Sequence, residues 1–157
     1  MAKIERKYLA HFLEVGEGNY VRLGKDLESY APELGAQVEK TRNILGETSV
    51  NLVGYEKTGA VETYFAEQED PLFTRLQSIL DEDLTLDACK CAVVEVKLWD
   101  GEGTGFPAIR EEAVLEITSY GGDAQGYQIP FQIHYTGVKE KGTFDVTQKT
   151  FTPTQGN

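Results

Sequence analysis

The most reactive side chains in this sequence are two histidines, His11 and His134, and two cysteines, Cys89 and Cys91. A metal centre needs three or four converging ligands, and neither histidine has another His or Cys at metal-site spacing. On a strand, Cys89 and Cys91 would share one face about 7 Å apart, beyond the usual span of a disulfide. They read as ordinary reduced strand residues. Gly101-Glu102-Gly103-Thr104-Gly105 has the glycines of a phosphate loop, but Phe106-Pro107 follows where a helix and a Lys-Ser/Thr pair would be needed. It reads as a plain connection. Gly24-Lys25-Asp26 lacks the upstream glycine and is set aside on the same ground. Triads assemble in space, so sequence order alone leaves one open; still, nothing in the chain resembles a nucleophile elbow. Carboxylates are so numerous that a glycosidase-like pair would arise by chance. The expectation is a chain without catalysis, cofactor or metal, whose function lies in its surface.

Charge narrows the partners. The formal net charge is −11 with a pI near 4.6, whereas tight nucleic-acid binders neutralise phosphates with a basic face. The charge is also uneven. Between residues 62 and 87 stand eight acids (Glu62, Glu67, Glu69, Asp70, Asp81, Glu82, Asp83, Asp87) against one base, Arg75. Bases gather toward the ends, at Lys3, Arg6 and Lys7 and again at Lys139, Lys141 and Lys149. This is either a solvated acidic face or a pair of complementary poles suited to head-to-tail self-association. No apolar run approaches the ~20 residues of a membrane helix, and the N-terminus lacks a small-residue cleavage site. A cytoplasmic origin without membrane anchoring is therefore expected.

The elements that carry these residues are mostly strands. A length of 157 residues suits one domain with a real core. The best strand signal runs over 126–136, where Tyr127, Ile129, Phe131, Ile133 and Tyr135 alternate with polar residues and Pro130. Period-two alternation means one buried and one wet face. Pro130 cannot donate to a ladder and marks an edge or a bulge. Further strands are expected at 7–15 and 20–23 around a GEGN turn, at 49–55, and at 89–99, 108–120 and 142–146. The stretch 27–42 is ambiguous, since Pro32 and Gly35 argue against a continuous helix while QVEKTRNI (37–44) alternates like a strand. Residues 57–59 read as a turn and 147–157 as a polar tail with Phe151 as its only large anchor. One helix is expected from Asp70, a favoured N-cap, with Pro71 at the first helical position and Leu72, Phe73, Leu76, Ile79 and Leu80 forming a stripe. Asp81, Glu82 and Asp83 oppose the helix dipole, so the helix should stop near Leu80. The sum is a mostly β fold, a β-sandwich or barrel with one flanking helix.

In order and spacing the chain resembles the tail tube (major tail) proteins of long-tailed, non-contractile bacteriophages. The resemblance runs over most of the chain. It rests on the opening hairpin around GEGNY, on EKTRNILGETSVNLVGYEKTG and DPLFTRLQSILDED, on the stretch from REEAVLEITSYGGD through GYQIPFQIHYTG to KGTFD, and on a terminal Phe151. The resemblance implies a single tail-tube-like domain over 1–157 whose sheets join between subunits into rings, typically hexameric, that stack into a hollow tube delivering DNA. It implies location in the virion tail after assembly in the host cytoplasm. The implied partners are further copies of the chain, other tail proteins at the tube ends, a tape-measure protein in the lumen, and DNA in transit only. Ring-to-ring contacts are implied for residues 1–7, 34–54 and 147–157, with Lys3, Arg6, Lys7, Lys149 and Phe151 as candidate assembly contacts.

Three features of the sequence agree with this expectation. Wet edge strands can be paired between neighbouring subunits, and loose polar ends can order on a neighbour. An acidic wall lets DNA slide without sticking. Lumen-facing acids are expected at Glu95 and Glu116 by alternation, and at Glu62, Glu67 and Glu69 by density. The same resemblance leaves open an inner tube subunit of a contractile phage-tail-like particle. A different class also remains, a monomeric β-sandwich module in which aromatics such as Tyr8, Tyr64 and Tyr120 bind carbohydrate, although core packing is the commoner fate of strand aromatics.

Overall fold

The computed structural model describes residues 2–24, 27, 29–101 and 105–154. Parts of the Gly24-Lys25-Asp26 and Gly101–Gly105 segments, Met1, and the last three residues of the tail lie outside the described residues. Eleven strands run in chain order: β1 (Leu9–Gly16), β2 (Asn19–Arg22), β3 (Ala36–Arg42), β4 (Thr48–Tyr55), β5 (Thr58–Val61), β6 (Lys90–Lys97), β7 (Phe106–Ile117), β8 (Gly121–Asp123), β9 (Gly126–Gln128), β10 (Phe131–Asp145) and β11 (Thr150–Pro153). Among the described residues there is one α-helix, α1 (Pro71–Glu82), between β5 and β6. The fold is mostly β with a single helix, as the alternation and the Asp70-Pro71 start imply.

Seven strands form one antiparallel sheet in the order β11-β10-β7-β6-β1-β2, with β5 also on β10. β10 is the spine. β7 pairs along one side, while on the other side β5 pairs with Phe131–His134 at the start and β11 with Gly142–Asp145 at the end. Two extra residues between Tyr135 and Lys139 break the register of β10 against β7, and such a bulge bends a strand. The bend lets the two halves of β10 serve two cores. The first core joins Leu13, Val93, Leu115, Phe131 and Ile133 to the helix residues Leu72, Leu76 and Ile79. The second lies on the opposite face, where Phe12, Tyr20, Val94, Val96 and Ala108 meet Phe144. There the sheet curls into a nearly closed, barrel-like form. The ring of Phe144 stands 4.5 Å from Phe12 and 5.6 Å from Tyr20, the latter edge-on. The central strands are thus apolar on both sides, which explains the unbroken run Ala92-Val93-Val94.

Several local expectations are corrected. The strand over 126–136 is two strands, because Ile129-Pro130 interrupts the ladder between β9 and β10. Pro130 does not mark a sheet edge, since β10 is flanked by β7 and β5. Residues 142–146 are largely the far end of that same β10 and not a separate short strand. Of the expected turn at 57–59, only Lys57 lies outside a strand: Thr58 and Gly59 already belong to β5, where Gly59, having no side chain, admits the Tyr30 ring where a Cβ would collide. The helix runs two residues past Leu80. Asp83 adopts a left-handed cap whose N–H bonds to the Ile79 carbonyl, and the exposed acids there cost only tenths of a kcal/mol. Cys89 lies in a 3-10 turn (Leu86–Cys89) and not in β6. The polar tail is not loose over its described length: β11 pairs with β10, and Phe151 packs against the second core. Gly142 permits this approach, since a Cβ there would strike Thr152 and the Phe151 ring.

Candidate functional site

The β3–β4 hairpin is the largest feature that the fold does not use. Its turn is self-sufficient. Asn43 Oδ1 accepts from the N–H groups of Leu45 and Glu47, and Gly46 supplies the positive φ. The ladder pairs Val38 with Leu52 and Lys40 with Val50 on one face, and Glu39 with Asn51 and Thr41 with Ser49 on the other. At its base, Glu33 bridges Thr58, and the Glu56 N–H bonds to the Gly35 carbonyl. Beyond that base none of the described residues covers it. Every residue of β3 is exposed, and in β4 only Gly54 is partly covered. Val38, Val50 and Leu52 are 54%, 60% and 53% exposed, and Ile44 at the tip is fully so. A two-stranded ribbon is marginal alone in water, and a continuous apolar row on one marks an interaction surface.

The base is clamped by a buried polar network. Lys57, two residues beyond β4, donates to Glu111 Oε1 at 2.7 Å and lies 4.6 Å from the centre of the Tyr135 ring. Tyr135 and Tyr30 share a hydroxyl hydrogen bond of 2.7 Å. Tyr30 stands edge-on to His11, which approaches Glu95 at 3.6 Å. Burial pushes the Tyr30 hydroxyl up to about 12 and raises that of Tyr135 as well, so both stay protonated at neutral pH. Glu95 is held below the ordinary carboxylate range. The hydrogen bonding of His11 is the main cause and outweighs the opposing effect of burial. A cavity of about 530 Å³ opens beside this clamp, walled by Leu34, Tyr55, Tyr135 and Lys139. Glu111 Oε2 is buried there without a hydrogen-bond partner among the described residues. Sequence reading missed Lys57 and Glu111, because a partly covered Lys and a buried Glu look like any surface pair in the chain.

The expected acids are not brought together. Glu116 is exposed on β7, on the sheet face away from α1, where it meets His134 at 2.7 Å. Glu62 is exposed just past β5. Glu67 and Glu69 are exposed in the segment leading to α1, off the sheet. Glu95 points to the opposite face from Glu116 and is only 26% exposed, packed beside His11. The alternation of β6 does turn it away from Val94 and Val96, but that second face is covered too, by Tyr30 and its neighbours.

The expected assembly contacts divide likewise. Lys3 is exposed, and Lys7 is exposed and paired with Glu5 at 3.2 Å. Lys149 is exposed in a turn with φ of 56°. Arg6 instead ties the N-terminal segment down, donating to the carbonyls of Leu9 and Tyr30. Phe151 is partly buried against the second core of the chain. The thiol of Cys89 donates to the Leu84 carbonyl at 3.2 Å, and burial pushes that of Cys91 up to about 12. Among the described residues, no group of three or more His, Cys, Asp or Glu could hold a metal ion, and no helix is long and apolar enough to cross a membrane. No family model matches the chain, and no curated protein matches it.

Proposed function

We propose that this chain is a structural subunit that self-assembles through the β3–β4 hairpin into stacked rings forming a hollow tube, as its resemblance to phage tail tube proteins implies. The observation that carries the reading is the hairpin itself. Its local turn chemistry is complete, yet its apolar row (Val38, Val50, Leu52) and tip (Ile44, Leu45) face water. Apolar burial drives most association, and a neighbouring copy supplies that cover at every position of a tube. All of the hairpin but its last residue, Tyr55, falls within residues 34–54, which the resemblance assigns to ring-to-ring contact.

Charge supports a conduit for DNA over a grip on it. At −11 per subunit, a ring of several copies repels phosphate. Glu116 on the outward face of β7 is the strand acid suited to a lumen wall, and Glu62 stands beyond β5 nearby in the sheet. Further tail proteins at the tube ends and a tape-measure protein in the lumen complete the proposed set of partners, with the virion tail as the site of action.

Electron microscopy of the purified, concentrated protein at moderate salt tests the proposal. Hollow filaments or stacked rings with a central channel are expected. Compact monomers at every concentration reached, with and without preformed seeds, would overturn it.

A further inference from the structure

A second exposed surface lies on the turn between α1 and β6. Leu86 opens the 3-10 turn between α1 and β6 with φ of 54°, and its side chain is 84% exposed. A left-handed backbone is costly for a bulky non-glycine residue, and sites of retained strain cluster where a segment binds. Here the strain holds an apolar side chain out into water. Around it Asp81, Glu82, Asp83 and Asp87 are all exposed. Asp87 pairs with Lys90 at 3.2 Å, and the acids still outnumber that base, so the turn is an apolar knob in a collar of net negative charge.

A cavity of about 600 Å³ has the opposite character. Arg6, Lys7 and Arg22 line it together with Leu9, Leu23 and Tyr30. Arg6 and Arg22 donate to backbone carbonyls of Leu9, Tyr30 and Lys7, and neither has a carboxylate partner among the described residues. A guanidinium has five donors, so capacity remains on both.

The two surfaces lie at opposite ends of the same strand. The knob leads directly into Lys90, the first residue of β6, whereas the cavity sits where Leu9 pairs with Lys97, the last. Seven strand rises separate them by roughly 23 Å. Complementary patches at opposite ends make a heterologous contact, which propagates from copy to copy as a ring or filament.

We propose that the cavity at the start of β1 receives the Leu86 turn of a second copy of this chain, with the acidic collar engaging Lys7 and Arg22. This rests on the self-assembly reading and adds a contact that does not use the hairpin's exposed apolar row. The apolar side chain gives affinity, and the opposed charges set orientation. The contact should weaken with added salt.

Sedimentation velocity and electron microscopy on a set of surface variants test it. Leu86→Gly removes the knob and relieves the positive φ, so its denaturant midpoint should be unchanged or higher. Its critical concentration for assembly should nevertheless rise about tenfold, the effect of losing one central anchor. Lys7→Glu with Arg22→Glu should impair assembly similarly, as should Asp83→Lys with Asp87→Lys. Combining the four substitutions in one chain should restore assembly to within a few-fold of wild type. Assembly of the first two variants at the wild-type concentration would overturn this contact while leaving the tube reading intact. So would failure of the combined chain to recover. Wild-type protein that never assembles would overturn both.

Discussion

Replacing Val38, Val50 and Leu52 together with threonine separates folding from assembly. Threonine keeps the branched, strand-compatible shape for the two valines and is tolerated on a pleated surface in place of Leu52. In the isolated subunit these side chains contact little, being 53–60% exposed. Surface substitutions of this kind shift stability by roughly 0.5 kcal/mol or less. In an assembly the situation reverses. Fully burying a Val or Leu is worth about 1.5–3 kcal/mol, and a side chain already half covered retains about half of that. Introducing a hydroxyl that must then be desolvated adds to the loss. About 1 kcal/mol per position, or roughly 3 kcal/mol in all, corresponds to about two powers of ten in the association constant. The assay compares the denaturant midpoint by circular dichroism with the concentration at which sedimentation velocity first detects assemblies. The expected result is an unchanged midpoint and an assembly threshold raised about a hundredfold. Assembly at the wild-type threshold would refute the role given to the hairpin. A large fall in the midpoint would refute the reasoning differently, by showing that the ribbon contributes to the fold of its own subunit.

Three further outcomes are expected. Truncation before Thr147 removes β11 and the cover that Phe151 gives the second core; it should cost about 2–4 kcal/mol in urea unfolding, and an unshifted midpoint would show that the tail is not part of the sheet. Glu95→Gln should flatten the acid limb of the stability profile. The depressed carboxyl stabilises the native state above its ordinary value of 4.5, and that contribution is lost as pH falls through the lower folded value; parallel wild-type and variant profiles between about pH 6 and pH 3 would contradict this. Cys89 and Cys91 are both buried, and Cys91 is pushed up to about 12. A thiol reagent at neutral pH should therefore label neither until denaturant is added, and stoichiometric labelling of the folded protein would overturn the assignment.

Much of the fold is legible in the sequence because it is local. The Asp70-Pro71 helix start is visible because the Asp side chain accepts from the Leu72 N–H in the structure, as an N-cap does. The alternation from Phe131 to Tyr135 marks a real strand with its odd residues buried or partly buried, since the pleat sends successive side chains to opposite faces. The acid excess and the lack of metal-ligand spacing come directly from composition and order. What alternation could not reveal is which of two faces would be covered. Glu95 and Glu116 carry the same local signal, yet the first is packed beside His11 and the second meets water. Likewise β3 and β4 read like any paired strands, and only the absence of a layer over them makes Val38 and Leu52 a surface. Phe151 looked like a free anchor because its strand partner, Phe144, lies across a turn and finds it only through the register of β11 on β10. Backbone geometry and the pleat act over a few residues and are written in neighbouring side chains. Burial depends on which distant strand arrives at which register, and that is decided only when the sheet curls around its two cores.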